Sequence, residues 1–317
     1  MQASNMFAWL FSYKTRRSWS NVNNYILKAY QIKRKMEDLA LKLGYLPYEP
    51  SLFENYEHFS SLSCDVKKEQ LVTVINGQKF QLLRPDITTT IMNNVHPFVQ
   101  DGEELKLFYQ STVYRSLDSG IKSVNQFGIE HLGIGGTRCE RDVLDLAISY
   151  LKDVPYIIEV GTTKFLNKIL QLCNLDAQQE KVFRKLIYIK NREELIKFAR
   201  LHSLHDQVQE ILPDLFTLRG TYDEVASKLK NYALGNSLIN TLSGVNYLTD
   251  FDQQVIVDLS MTSDLTYYDG VIFKGYYRSV PEAVLSGGRY GTNAIGFSID
   301  VDNWLKVQKK EGSTWNT

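Results

Sequence analysis

Gln126-Phe127-Gly128-Ile129-Glu130 places an amide and a carboxylate at i and i+4 of a strand-like run, so both side chains share one face. A carboxylate turned toward a core costs roughly several kcal/mol unless a cation or a group rich in donors meets it, and a bound ligand would do so. Solvent exposure of Glu130, or pairing with a basic side chain of the protein, answers the same pattern. Further polar groups fall at neighbouring strand ends: Asp86 and Thr88, Arg115, and the pair Tyr267-Tyr268. Together they offer acceptors for an ammonium, one cation for an anionic group, and hydroxyls that both donate and accept.

These residues need a sheet to position them. Leu71 to Ile75 and Gln78 to Leu83 flank Asn76-Gly77, which supplies the positive φ angles of a two-residue turn, so a β-hairpin is expected. Arg84-Pro85-Asp86 ends it, and Asp86 or Thr88 is suited to cap a short helix reaching about Asn94. Leu107 to Tyr114 and Gln126 to Ile134 read as strands joined by a nine-residue polar connector, Ser116 to Val124. A helix over Arg138 to Leu151 precedes a strand at Tyr156 to Val160.

From about Thr163 to Ser243 only helical periods remain, including the capping box Thr221-Tyr-Asp-Glu224. Strand character returns at Gln254 to Leu259, Tyr267 to Tyr276 and Ala294 to Ile299, with Gly287-Gly288 expected as a turn. Ahead of all this, apolar residues from Tyr25 to Leu43 at steps of three and four mark a long helix over Asn21 to Leu43. The fold class is therefore α+β: a mixed, mostly antiparallel sheet flanked by helices. A core over 21–162 and 244–317 is interrupted by a helical insertion over 163–243. The aromatic-rich stretch Met1 to Ser20 stands apart, and part of it is expected to pack on the core or on a partner.

Composition removes several functions. The 317 residues carry 36 Lys plus Arg against 36 Asp plus Glu, so no broad basic surface for a phosphate backbone is expected. Cys64, Cys139 and Cys173 stand far apart, which suits reduced thiols in a cytoplasmic protein better than a disulfide framework. His202 and His205 lack further ligands of metal type, so helix packing is expected of them rather than metal binding. No run approaches the length of a membrane span, and Met6 to Phe11 is too short for an export signal. No cofactor motif is present.

Leu83-Arg84-Pro85-Asp86-Ile87-Thr88-Thr89, Val113-Tyr114-Arg115 and Gln126 to Glu130 resemble motif 2 and its surroundings in class II aminoacyl-tRNA synthetases, most closely histidyl-tRNA synthetase. Tyr267-Tyr268-Asp269-Gly270 with Ser286-Gly287-Gly288-Arg289-Tyr290 is similar to the histidine-binding signature of that family, and Ala294 to Phe297 to the approach to motif 3. Glu37 to Glu54 is similar to motif 1, which forms dimers. The resemblance implies a class II synthetase core, a homodimer, and a histidine site. In that site Asp86, Thr88 and Gln126 meet the ammonium, and Glu130 with Tyr267 or Tyr268 meets the imidazole.

The departures concern ATP. Ser263 stands where the family has an arginine that pairs with the carboxylate, Ser298 to Trp304 lacks the arginine of motif 3, and Ser116-Leu117-Asp118 lacks the glutamate that follows Arg115. Adenylate formation depends on preorganised cations, and removing one such donor commonly costs about 100- to 1,000-fold. No anticodon-binding domain is expected after the core, and the chain resembles the regulatory-subunit family of ATP phosphoribosyltransferase. That resemblance implies a protein without catalysis or tRNA binding, paired with a short catalytic subunit and feeding back histidine. A reduced but working synthetase and a histidine-binding module without a partner are the alternatives.

Overall fold

The computed structural model describes residues 15–61, 68–100, 102–251, 254–262, 267–291 and 293–310. They form two compact units that divide between Leu46 and Pro47. Residues 1–14, Cys64 and Ser263 lie outside the described residues. The first unit contains one long helix, α1 (Thr15–Lys42). It begins six residues before the Asn21 start expected from periodicity, and Gly44 at φ 83° follows its end.

In the second unit a small sheet comes first: β1 (Phe53–Asn55), β2 (Thr73–Asn76) and β3 (Lys79–Leu83), in the order β1-β3-β2. The β2-β3 hairpin is the expected one, with Gly77 at φ 62° in its turn. The helix α2 (Ile87–Asn94) follows at once. Then β4 (Leu105–Leu117) and β5 (Gly120–Leu132) pair along their whole length. The polar connector expected over Ser116 to Val124 is instead mostly strand, closed by the two-residue turn Asp118-Ser119 and followed by Gly120 at φ 117°. Its polar residues belong to the solvated end of a long hairpin, where alternation is invisible because neither face is buried.

The helix α3 (Thr137–Leu151) and the strand β6 (Tyr156–Thr162) come next. Helices α4 (Thr163–Cys173), α5 (Ala177–Tyr188), α6 (Arg192–Leu201) and α7 (Asp206–Ile211) follow. The chain touches the sheet again at β7 (Arg219–Gly220), a two-residue strand inside a stretch read as helical throughout. Helices α8 (Tyr222–Leu229) and α9 (Gly235–Thr241) complete this part, and Thr221 with Glu224 forms the expected capping box.

The strands β8 (Val255–Asp258), β9 (Tyr268–Tyr277), β10 (Leu285–Tyr290) and β11 (Ala294–Asp300) lead to α10 (Val301–Lys310). Hydrogen bonding runs in the order β4-β5-β11-β10-β9-β6-β8-β7, antiparallel except between β6 and β8. The expected fold class, a large and mostly antiparallel sheet flanked by helices, is the one found.

Gly287 and Gly288 are not a turn. They sit inside β10, opposite Phe297 and Gly296 of β11. The reason is space: a Cβ at Gly287 would press on the Phe273 ring, 2.7 Å away, and one at Gly288 on the Tyr268 ring, 2.9 Å away. On the back of the sheet a run of rings fills the core, Phe108 to Phe127 at 6.0 Å, Phe127 to Tyr150 of α3 at 5.4 Å, and Tyr150 to Phe297 at 6.0 Å.

On the front, Ile87 and Ile91, one helical turn apart, seat α2 on Leu107, Tyr109, Leu132 and Tyr290. Buried Arg84 locks the junction between β3 and α2 to the sheet, donating to the carbonyls of Pro50, Ser51 and Thr112 and to the Ser111 hydroxyl. Burial draws its guanidinium pKa below the ordinary value. Arg84→Met leaves those carbonyls without their donor, so chemical denaturation is expected to show a loss of at least about 3 kcal/mol. A loss under about 1 kcal/mol would remove Arg84 as the anchor of α2.

Candidate functional site

A cavity of about 260 Å³ opens on the front of the sheet beneath α2. Asp86, Thr88, Arg115, Gln126, Tyr267 and Tyr268, expected as site residues, all line it. Glu130 does not: it is 1% exposed and lies behind Thr88 and Tyr290. The alternation along β5 aims Gln126 and Glu130 to the same face, as their spacing requires, and the neighbouring strands supply the rest.

Asp86 caps α2, its carboxylate accepting from the Thr89 N–H and the Thr89 hydroxyl, both at 2.7 Å. Thr88, the other candidate cap, is in the first turn and donates to Glu130 Oε1 at 2.9 Å. Tyr290 donates to Glu130 Oε2 at 2.6 Å. Within the protein the hydroxyl partners of Glu130 are thus Tyr290 and Thr88, while Tyr267 and Tyr268, expected beside Glu130 around a ligand ring, line the cavity. Once 285–290 is read as a strand, Gly288 and Tyr290 fall on one face, and that was the signal available in the sequence. Tyr109, Ser298 and Asp300 are further lining residues not expected as part of the site, and Ser286 of the signature lines it too.

Three glycines make this wall possible. A Cβ at Gly128 would run into the Tyr109 ring, one at Gly288 would meet Tyr268, and one at Gly296 would overlap both Glu130 Oε2 and the Ile129 carbonyl oxygen. Rings and a carboxyl therefore lie directly on the backbone of β5, β10 and β11. Burial lifts the Glu130 carboxyl to about 8, against the pull of the Tyr290 and Thr88 hydrogen bonds. Burial also pushes the hydroxyls of Tyr109, Tyr267, Tyr268 and Tyr290 above the ordinary phenol, so these groups stay protonated at neutral pH.

The charges are sparse and unequal. Among the described lining residues, Arg115 is the one cation, against the carboxylates of Asp86 and Asp300. Asp300 also receives the Asn303 N–H at 2.9 Å and its amide at 3.0 Å, so it holds the start of α10. Asp302, two residues on, accepts from the Asn125 backbone and amide and fastens the same helix to β5. Such a cavity suits a small polar ligand with a cationic nitrogen. It is poorly equipped for a triphosphate, which needs several preorganised cations.

The family model described as Histidyl-tRNA synthetase matches residues 25–303. The chain belongs to the histidyl-tRNA synthetase family. A curated relative from Oceanobacillus iheyensis, named ATP phosphoribosyltransferase regulatory subunit, is 26% identical over 94% of this chain and 78% of its own. An ATP phosphoribosyltransferase regulatory subunit/histidyl-tRNA synthetase from Bacillus halodurans superposes with a TM-score of 0.76 at 23% identity, covering 88% of this chain and 78% of that one. The ATP phosphoribosyl transferase (HisG:HisZ) complex from Thermotoga maritima gives 0.65 at 20% identity, over 85% and 96%. At these identities the structural likenesses establish the class II synthetase fold of this family member.

Away from the cavity, the remaining candidates take structural places. His202 ends α6 with its ring 4.2 Å from that of Phe198, and His205 caps α7 by accepting from the Gln207 N–H. Cys139 and Cys173 are buried free thiols. No grouping of metal-ligating side chains occurs among the described residues, and no described helix is long and apolar enough to cross a membrane.

Two outcomes follow from the buried carboxyl. Gly296→Ala forces Glu130 or β5 to shift, and is expected to cost about 1–3 kcal/mol in denaturant unfolding. An unchanged midpoint would show that the space above Gly296 is not needed. Because the folded pKa of Glu130 is raised to about 8 from 4.5, its stabilising contribution is full below the unfolded value and is lost as pH rises through about 8. Thermal melts of Glu130→Gln are expected to decline less than wild type between pH 5 and 9, and parallel curves would contradict the burial argument.

Proposed function

We propose that this chain is the non-catalytic regulatory subunit of an ATP phosphoribosyltransferase, that it pairs with a short catalytic subunit, and that it binds histidine in the cavity beneath α2 to transmit feedback inhibition. The similarity to proteins carrying that name supports the role, and the solved complex of the Thermotoga maritima transferase supports a protein partner. The observation that carries most weight is the charge inventory of the cavity, in which acceptors for an amino group persist while Arg115 is the one cation among the described lining residues.

In this reading the ammonium of histidine lies by Asp86, Thr88 and the Gln126 carbonyl, and Arg115 meets the carboxylate. The ring enters the pocket walled by Tyr109, Tyr267, Tyr268 and Tyr290 in front of Glu130. Each of these pairings is a charge-assisted or hydroxyl hydrogen bond of ordinary chemistry. Histidine then acts by binding two arrangements of the complex unequally, and a coupling of about 1–3 kcal/mol suffices for useful inhibition. The protein works in the cytoplasm as a homodimer within the hetero-oligomer, without tRNA.

Mixing the protein with a short catalytic subunit and measuring phosphoribosyl-ATP formation tests this reading. Activity is expected to rise on mixing and to fall when histidine is added. In Gln126→Ala the histidine concentration needed for half inhibition is expected to rise about tenfold, equivalent to about 1.4 kcal/mol. Release of pyrophosphate from histidine and ATP by the isolated protein would instead point to a working synthetase.

A further inference from the structure

A second cavity, of about 510 Å³, opens at the opposite end of α2 from the first. Asp86 and Thr88 at the start of the helix line one, while Asn94 at its end and Val95 just beyond line the other. The helix is eight residues long, so about 12 Å of rigid backbone connects the two. Most of the second cavity is apolar: Val95, Val99 and Leu105 pack on the same cluster that seats α2, and the Phe98 ring beside them is 80% exposed. Gly133, at φ 87°, lets this wall form. A Cβ there would overlap the Glu103 carbonyl oxygen and press on Val99 at 2.8 Å, so both residues lie directly on the end of β5.

Two carboxylates line the cavity, and they differ in what they meet. Glu104 Oε1 is held by Lys106 Nζ at 2.9 Å and His131 Nε2 at 2.7 Å. Glu103 meets no cation among the described residues, and accepts a long bond from the Gln100 N–H at 3.4 Å. The end of α2 adds partial negative charge. Pro97 has no N–H to give the Asn93 carbonyl, and the Phe98 N–H goes to Val95 instead of Asn94. An exposed ring, an unmatched carboxylate and helix carbonyls left over from the ladder, set around an apolar hollow, fit a cation on an apolar stem. A guanidinium suits all three, because its plane stacks on a ring while its fork of N–H groups reaches carboxylate and carbonyl oxygens together. A site for a free small molecule would enclose its aromatic wall, whereas a ring left this open to water is what an interface anchor looks like before its partner arrives.

We propose that this second cavity is a docking site for the catalytic subunit, which lays an arginine side chain along Phe98 and sets its guanidinium on Glu103 and the last carbonyls of α2. The identity of the partner rests on the regulatory reading above; the preference for a basic side chain rests on the cavity itself. The arrangement puts effector and partner at opposite ends of one helix. Histidine beside Asp86 and arginine beside Glu103 both bear on where α2 lies, and Ile87 and Ile91 seat that helix on the sheet as one body. Two sites that bias the same element are what a coupling between them requires.

The test mixes the full-length protein with the short catalytic subunit of the same organism and measures their affinity by calorimetry, for wild type and for Phe98→Ala, Glu103→Gln and Glu103→Lys. Both side chains are exposed, so the variants are expected to melt like wild type. The expected result is binding at least about tenfold weaker in Phe98→Ala and Glu103→Lys, with a smaller loss and a shallower salt dependence in Glu103→Gln. Glu193→Lys on α6, where the side chain is 77% exposed, is expected to bind as wild type does. Unchanged affinity in all the cavity variants overturns the proposal and leaves the regulatory reading standing. An equal loss in Glu193→Lys also overturns it, since overall charge would then be what the partner senses. A homodimer that dissociates in Phe98→Ala while affinity for the catalytic subunit is unchanged would assign the cavity to a second copy of this chain, and so overturns it too. If wild type itself does not bind the catalytic subunit, the regulatory reading falls and the proposal with it.

Discussion

A carboxyl with almost no access to water, held by two hydroxyls over the bare backbone of a neighbouring strand, is the constraint around which this site is built. Burying Glu130 is costly, and the surrounding sequence is arranged to limit that cost. Gly296 leaves it room, Tyr290 and Thr88 occupy its two oxygens, and the pairing of β5 with β11 sets the height at which it sits. Thr88 reaches it only because Asp86 starts α2 where it does and Arg84 ties that junction to the sheet. Well-packed apolar side chains often replace buried ionisable groups at no loss of stability, so stability alone does not account for a carboxyl at this position.

The same wall bears on the proposal that a synthetase core serves regulation here. Amino-acid recognition needs a few acceptors and one anion partner at short range, and these are concentrated on α2, β5 and the ends of β9 and β10. Activation with ATP needs cations distributed over a longer reach, and along β11 and α10 those positions carry Ser298, Asp300 and Asp302. Asp300 and Asp302 are engaged in capping α10 and binding Asn125, so the end of the cavity is coupled to a helix rather than to a phosphate chain. A ligand settling beside Gln126 and Asp300 thereby touches residues that hold a whole element in place, which is the kind of contact a regulatory site requires.

Much of this was legible in the sequence, for physical reasons. Asn76-Gly77 permits only one economical turn, so the hairpin could be read directly, and the Thr221 capping box fixed the start of α8. The spacing of Gln126 and Glu130 fixed their common face. What escaped depended on tertiary context. The polar tip of the β4-β5 hairpin looked like a loop because no core imposed alternation on it, and Gly287-Gly288 looked like a turn because nothing local reveals that rings lie above and below a strand. Tyr290 stood in the signature, but its bond to Glu130 escaped, since it spans 160 residues and passes through β11.

The regulatory reading depends on histidine occupying the cavity beneath α2, in contact with the hydroxyls bonded to Glu130. A crystal structure of the protein with histidine bound measures this directly. The prediction is density for one molecule beneath α2, its ammonium at Asp86 and Gln126, its carboxylate at Arg115 and its ring within hydrogen-bond distance of Tyr290. A cavity that stays empty or fills with neighbouring side chains while histidine binds elsewhere would contradict it.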